Sequence, residues 1–161
     1  MERSDIKLHL GCGSRPGARY WWPGYVNHDA EIDLLALPYE DNSVAEIHAI
    51  HLFEHLPRLD VEKYLKEWHR VIVPHGTLVM EMPCLDKMAE LICKHEKNLR
   101  LTLLGIFGDP RDFDDRPLMR HQWAWTYDEL TSVLTEAGFA VTFAEPVYHI
   151  AQRDLRVTGR K

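Results

Sequence analysis

The chain has 161 residues, of which 45% are apolar, and a formal net charge of −6. We expect one domain spanning residues 1–161, because this length buries a sufficient core without disulfides or metals. The basic residues are scattered, which argues against a nucleic-acid partner, and no apolar run approaches the ~18 residues of a membrane span. Three cysteines without paired spacing, and a polar start without a signal peptide, predict a cytoplasmic location.

The first predicted strand, Ile6–Leu10, runs into the glycine turn Gly11-Cys12-Gly13. Glycines and prolines are so dense between positions 13 and 24 that no useful helix can form there. The usual helix after the first strand should therefore be missing. Three further strands are predicted in this half of the chain, at Tyr25–Asp29, at Ile32–Leu34 (very short) and at Ala45–Ile50.

An amphipathic helix is predicted from about Asp60 until Pro74 stops it. A strand over Thr77–Met82 and a helix over residues 86–98 follow. Residues 99–107 are ambiguous between helix and loop. Residues 108–120 are charged and contain prolines, so we expect a disordered segment or a lid.

The last helix has clear boundaries. Thr126 with Glu129 forms a capping box, and Gly138 ends the helix. Phe139–Ala144 and Asp154–Thr158 should then form an antiparallel hairpin, because the segment between them has no helical pattern. The alternation of strands and helices predicts an α/β fold with a mostly parallel sheet.

Ligands of parallel sheets bind at the carboxyl ends of the strands. Gly11, Asp29, Asp33 and His51 all fall at or just beyond predicted strand ends. A dinucleotide is disfavoured, because the third glycine (Gly17) comes one position late and no helix N-terminus follows to hold a pyrophosphate.

S-adenosylmethionine carries no phosphate and fits these residues better. Gly11 and Gly13 would let the backbone approach its methionyl part. Asp29 would bind the ribose hydroxyls, and Asp33 with Leu34 would border the adenine.

The sequence resembles the class I (Rossmann-like) methyltransferases, and within them the small type-11 family. The resemblance covers nearly the whole chain in order and rests on these stretches: Leu8–Gly13, Tyr25–Asp29, Asp33 with Leu37–Tyr39 and Asp41–Val44, His51–Leu56, Glu67–Gly76, and His121–Trp123 with Thr126–Phe139.

That resemblance implies a Rossmann-like sheet, S-adenosylmethionine as cofactor, and methyl transfer to an oxygen or nitrogen of a small-molecule or sugar-like acceptor. The sequence departs from the family pattern at His9, where an acid is common, and at His75, where a second glycine is common. The residues expected to bind the cofactor are His9, Gly11, Cys12, Gly13, Asp29, Asp33, Leu34 and His51. Candidates for a general base are His55 and His121.

Two other functions remain open from the sequence. His51-x-x-Glu54-His55 is formally an inverted zinc-protease motif, which would need both histidines on one face of a helix. A non-catalytic binding or scaffold module with the same fold is the other alternative, and His9 and His75 favour it. We expect no metal, since the methyltransferase interpretation accounts for more of the chain.

Overall fold

A computed structural model describes residues 5–13, 22–94, 99–112, 114 and 117–161. Six strands in these ranges form one sheet. They are β1 (Lys7–Leu10), β2 (Val26–His28), β3 (Val44–Ile50), β4 (Ile72–Pro83), β5 (Ala140–Ala144) and β6 (Asp154–Arg160). Their order across the sheet is β2-β1-β3-β4-β6-β5.

The first four strands of the sheet are parallel, while β6 is antiparallel to both β4 and β5. The predicted mostly parallel α/β sheet with an antiparallel C-terminal hairpin is therefore confirmed. Asp154 pairs with Pro83, the last residue of β4. This register brings the start of β6 to the edge where the parallel strands end.

Four helices accompany the sheet in the described ranges: α1 (Val61–Val71), α2 (Leu85–Cys93), α3 (Leu99–Phe107) and α4 (Tyr127–Glu136). The predicted apolar face of α1 is buried, with Leu65 and Trp68 fully inaccessible. Together with Leu8, Leu10 and Ile47 from the strands, these side chains form the main hydrophobic core. No helix in the described ranges is long and apolar enough to cross a membrane.

The prediction of a very short strand at residues 32–34 is wrong. These residues form turns, and the Asp33 carboxylate accepts a hydrogen bond from the Leu35 N–H at 2.8 Å. An aspartate that bonds the backbone two residues later stabilises a turn in place of a strand.

The strand β4 begins five residues earlier than expected, at Ile72, and α1 ends at Val71 before the proline that should stop it. A register shift relative to β3 separates this irregular start from the regular ladder, which begins at Thr77. Pro74, which cannot donate to a ladder, lies within the irregular part.

The other predicted helix and strand boundaries either agree with the structure within a few residues or fall outside the described residues. Residues 99–107, ambiguous from the sequence, are helical. The segment 108–120 contains short 3-10 turns at Pro110–Asp112 and Pro117–Met119. The expected absence of a helix after β1 concerns mainly residues 14–21, and the end of the second predicted helix falls on residues 95–98. Both stretches lie outside the described ranges.

The N-cap of α4 can be tested directly, since the Thr126 hydroxyl accepts the Glu129 N–H at 3.1 Å. We expect Thr126→Ala to lower the free energy of unfolding by about 1 kcal/mol, because one helix donor then loses its partner. Thr135→Ala, at an exposed position near the end of the same helix, serves as the control and should change it by less than about 0.5 kcal/mol. Urea unfolding followed by circular dichroism measures both, and equal effects would refute the cap.

Candidate functional site

The glycine turn after β1 connects the ends of two neighbouring strands. Gly11 and Gly13 have φ values of 72° and 80°, which favour glycine. A Cβ on Gly11 would lie 3.0 Å from Leu52 Cδ1, so the backbone passes close to the segment that follows β3. The Cys12 N–H donates to the His28 carbonyl at 3.1 Å. The turn therefore contacts the ends of both β2 and β3.

Cys12 is buried within this turn. Burial, followed by the nearby charges of Asp29 and Glu31, raises the pKa of its thiol to about 11. A thiol with so high a pKa is a poor nucleophile at neutral pH. Cys12 therefore fills space in the turn, and the structure gives it no catalytic role.

Two carboxylates follow β2. The Asp29 N–H donates to both carboxylate oxygens of Glu31 at 3.0 Å, and Glu31 also lies 3.1 Å from His28 Nδ1. Glu31 thus fixes the backbone at the strand end, and the ribose contact expected of Asp29 stays a prediction. Sequence reasoning missed Glu31, although an acid two residues after a strand-end aspartate was the available signal.

His9 lies in a layer of aromatic rings on the sheet. Its ring stacks on Trp22 with centroids 4.2 Å apart, and Nδ1 lies 3.3 Å from Asn27 Oδ1. Trp22 also contacts the rings of His48 and Tyr148, with centroids 4.8 and 4.7 Å away. Trp22 therefore covers this face of the sheet, while the cofactor contact of His9 stays a prediction. Trp21 lies outside the described residues.

Asp33 and Leu34 lie in the turn described above. The Asp33 side chain is exposed, and the Leu34 carbonyl accepts the indole N–H of Trp68 at 3.3 Å. The helix α1 thereby fixes the position of this turn. The adenine contact expected of these two residues stays a prediction.

His51 directly follows β3 and has a φ of 51°, a conformation that non-glycine residues rarely adopt. Its N–H donates to the Glu81 carbonyl at 2.8 Å. The ring lies between two carboxylates, with Nδ1 2.7 Å from Glu54 Oε1 and Nε2 3.7 Å from Asp154 Oδ2. The ring of His149 packs against it at 3.8 Å between centroids.

His51, Glu54 and Asp154 form one polar group, and the two carboxylates set the charge of the histidine. Burial opposes protonation of His51, but the negative charges of Glu54 and Asp154 outweigh it and raise the pKa to about 9. Asp154 responds in the opposite direction. Burial favours its neutral form, but His51 and Arg153 lower its pKa to about 2. At neutral pH the group is an imidazolium between two carboxylates.

One ion pair and several hydrogen bonds to backbone groups hold the loop between β5 and β6 against the group of His51, Glu54 and Asp154. The fully buried Glu81 carboxylate accepts from Arg156 at 2.8 Å and from the N–H groups of Val147 and Tyr148 at 2.8 and 3.0 Å. Lys87 donates to the carbonyls of Ala151 and Asp154, each at 2.8 Å. Sequence reasoning gave none of these residues a role, because their partners are distant in the chain.

A second polar group comprises Glu54, His55 and His121. The Glu54 carbonyl accepts the Gln122 N–H at 2.7 Å, which brings the two distant histidines together. Their rings lie 4.8 Å apart in an edge-to-face arrangement. The two predicted general-base candidates are thus neighbours, and both are half-buried.

The carbonyls of Gly105 and Arg120 orient these histidines. His121 Nδ1 lies 2.8 Å from the Gly105 oxygen, and His55 Nδ1 lies 3.1 Å from the Arg120 oxygen. Gly105 is buried in α3, where a Cβ would lie only 2.6 Å from Met88 Sδ and 2.9 Å from Arg153 Cδ. The absence of a side chain at Gly105 therefore allows the close packing that supports His121.

The helical geometry expected for an inverted zinc-protease motif is not formed. Phe53–His55 is a short 3-10 turn, and His51 precedes it in a left-handed conformation. His51 and His55 therefore do not lie on one face of an α-helix, and His51 is engaged by Glu54 and Asp154. The zinc-hydrolase alternative with His51 and His55 as paired ligands is wrong for this reason.

Comparisons with known proteins agree with this fold. A family model described as "Methyltransferase domain" matches residues 18–80, less than half of the chain. No curated protein matches the sequence.

Among solved structures, a SAM-dependent methyltransferase from Archaeoglobus fulgidus has a TM-score of 0.63 at 13% identity, over 98% of this chain and 86% of its own. An S-adenosylmethionine-dependent methyltransferase from Mesorhizobium loti has a TM-score of 0.62 at 16% identity. The match covers 98% of this chain and 91% of that protein. A "possible exported protein" from Bordetella parapertussis has a TM-score of 0.56 at 18% identity, over 86% of this chain. This chain spans only 44% of that protein.

These findings define the class of domain. The six-stranded sheet with its antiparallel end is the Rossmann-like fold of class I methyltransferases, and the matched family is a methyltransferase domain. The resemblance stated from the sequence is confirmed at the level of the fold and by the family match over residues 18–80, and both imply S-adenosylmethionine as the cofactor. Methylation with this cofactor is supported, and the acceptor belongs to the proposals below.

The ion pairs of Asp154 predict a pH-dependent contribution to stability. At pH 7 we expect Asp154→Asn to lower the free energy of unfolding by about 2–4 kcal/mol, because His51 and Arg153 lose a buried partner. The folded-state pKa of Asp154 is about 2 and its ordinary pKa is 3.8. The contribution of Asp154 to the free energy of unfolding is therefore complete above about pH 4 and is lost as the pH falls towards 2.

Urea unfolding at pH 7 and at pH 3 measures this difference between variant and wild type. Glu90→Gln, which breaks an exposed ion pair with Lys94, is the control and should cost less than about 0.5 kcal/mol at either pH. A difference for Asp154→Asn that is as large at pH 3 as at pH 7 would contradict the assignment.

Proposed function

We propose that the protein transfers the methyl group of S-adenosylmethionine to an oxygen or nitrogen atom of a small-molecule or sugar-like acceptor. The observation that carries the proposal is the meeting of the predicted groups at one edge of the sheet. The glycine turn, Asp29 and His51 follow β1, β2 and β3, whose parallel register brings their ends together. This is the edge at which open α/β sheets bind ligands.

The cofactor half of the site would use backbone more than side chain. Gly11, Cys12 and Gly13 offer a turn with close backbone approach, which suits the methionyl part of the cofactor. Asp29 would accept hydrogen bonds from the ribose hydroxyls. His51 would border the cofactor at the end of β3, where Leu52 already contacts the glycine turn.

The acceptor half would use the histidine pair. The sulfonium makes the methyl group electrophilic, so the protein has to position the nucleophile within ~3–3.5 Å and remove its proton. Burial lowers the pKa of His121, so its imidazole is neutral at pH 7. Its Nδ1 donates to the Gly105 carbonyl, which leaves Nε2 to accept a proton from the acceptor. His55 is the second candidate for this role.

A cytoplasmic location and one domain over residues 1–161 form part of the same proposal. The cysteines described are free: Cys12 and Cys84 are buried, and Cys93 is exposed. Free thiols suit a reducing compartment.

Cofactor binding can be tested without an acceptor. Calorimetric titration with S-adenosylhomocysteine should give saturable binding of one ligand per chain. Asp29→Ala should weaken it by ~10-fold or more, because a hydrogen bond to a charged group contributes roughly 1.5–3 kcal/mol. Asp5→Ala is the matched control, since Asp5 is exposed just before β1 at the opposite end of the strand, and should leave binding unchanged.

The scaffold alternative gives the opposite result in this titration. Binding that stays undetectable at millimolar ligand, in protein that unfolds cooperatively, would refute the enzyme and favour the non-catalytic module. Equal losses in Asp29→Ala and Asp5→Ala would remove Asp29 from the site.

The general base can be tested by transfer of a tritiated methyl group to a panel of small hydroxyl and amine compounds that includes sugars. With any compound that is methylated, His121→Ala or His55→Ala should reduce turnover by ~100-fold or more while S-adenosylhomocysteine binding is retained. Full turnover in both variants would exclude a histidine base at this pair.

A further inference from the structure

We propose that Glu54, His55 and His121 form a binding site for a divalent transition-metal ion, with Zn²⁺ the preferred occupant. The three side chains each offer one ligand atom, and these atoms all lie within 4.8 Å of one another. Two imidazole nitrogens and one carboxylate oxygen are a donor set that zinc and other first-row divalent ions take in proteins. The sequence alone did not indicate this set, because His121 is distant from the other two residues.

The tautomers of both histidines suit a metal. A carbonyl oxygen can only accept a hydrogen bond, so Nδ1 of His55 and Nδ1 of His121 must carry the protons donated to Arg120 and Gly105. In the neutral form of either ring the lone pair is then on Nε2. Metal-binding histidines in proteins are commonly held by such a bond from the other ring nitrogen to a backbone carbonyl or carboxylate.

Glu54 supplies a second, independent observation. Its side chain is 2% exposed, and its Oε2 has no hydrogen-bond partner among the described residues. Its Oε1 lies 2.7 Å from His51 Nδ1, and this ion pair fixes the carboxylate. A buried carboxylate oxygen without a partner is costly, and a coordinated cation would remove that cost.

A neighbouring group is less suited to a cation. His51, His149 and Asp154 also bring three ligand atoms within 4.8 Å of one another. Arg153, however, donates to both oxygens of Asp154 at 2.7 and 3.0 Å, so a guanidinium already occupies that carboxylate. His51 is itself engaged by two carboxylates. The group of Glu54, His55 and His121 is therefore the better site.

Three protein ligands leave a tetrahedral ion one open position. A water oxygen, or an oxygen of the acceptor of the proposed reaction, would complete the coordination there. In the ion-bound protein the Nε2 lone pairs are engaged, so the general-base role belongs to the ion-free protein. Ion binding itself rests only on the three ligands, and its success or failure is independent of cofactor binding.

The test uses the full chain without a metal-binding tag, stripped by a chelator that is then removed by dialysis. Titration with ZnCl₂ should give one tight site per chain, and CoCl₂ should give the visible absorption bands of a low-coordinate site. Glu54→Gln and His121→Ala should each weaken Zn²⁺ binding by ~100-fold or more, because each removes one of three ligands. His55→Ala, at a half-buried position, provides a third variant if either of the others unfolds.

The matched control is His75→Ala, since His75 is exposed at the irregular start of β4 and should not affect binding. Absence of stoichiometric Zn²⁺ binding would overturn the proposal. So would equal weakening by His75→Ala, which would indicate adventitious binding to surface histidines, or loss of binding in His149→Ala with retention in His121→Ala. Titration of the ion-free protein with S-adenosylhomocysteine keeps a failed metal site distinct from a failed cofactor site.

Discussion

The site depends on one charge arrangement, the His51 imidazolium held between the buried carboxylates of Glu54 and Asp154. Each partner comes from a different part of the chain: the end of β3, the 3-10 turn after it, and the start of β6. Taking a charge out of water is expensive, and these charges are acceptable only because they compensate one another. The arrangement therefore fixes the three segments relative to one another and accounts for the strained backbone of His51.

Both proposals place their sites at the sheet edge that this arrangement supports. The glycine turn and Asp29 form the part suited to the cofactor, at β1 and β2. The histidine pair with Glu54 forms the part suited to an acceptor or an ion, next to β3. His51 links the two parts, because it follows β3 and its ring contacts Glu54.

Much of the fold could be predicted because local signals were strong. The capping box at Thr126 and the helical spacing around Trp68 identified α4 and α1, and the glycine turn identified the end of β1. Other elements depend on contacts that the sequence does not display. The start of β4 at Ile72 requires neighbouring strands, and the turn at Asp33 follows from a side-chain bond that competes with strand formation.

The candidate site could be predicted only in part, because its residues are far apart in the chain. His55 and His121 were identified separately, but a backbone bond between Glu54 and Gln122 brings them together. The roles of Asp154 and Arg153 arise from the antiparallel register of β6 beside β4. Pairings between residues far apart in the chain are set by the whole fold, and a residue pattern carries little information about them.

The packing around Gly105 links the interior of the protein to the chemistry of the site. The side chains of Met88 and Arg153 pack closely against this glycine, and the Gly105 carbonyl accepts the hydrogen bond that orients His121. Arg153 also holds Asp154, the partner of His51. One small residue thus sets the alignment of both polar groups. Evolutionary change at this position would have to be matched by change at Met88 and Arg153, so these three residues should vary together and not singly.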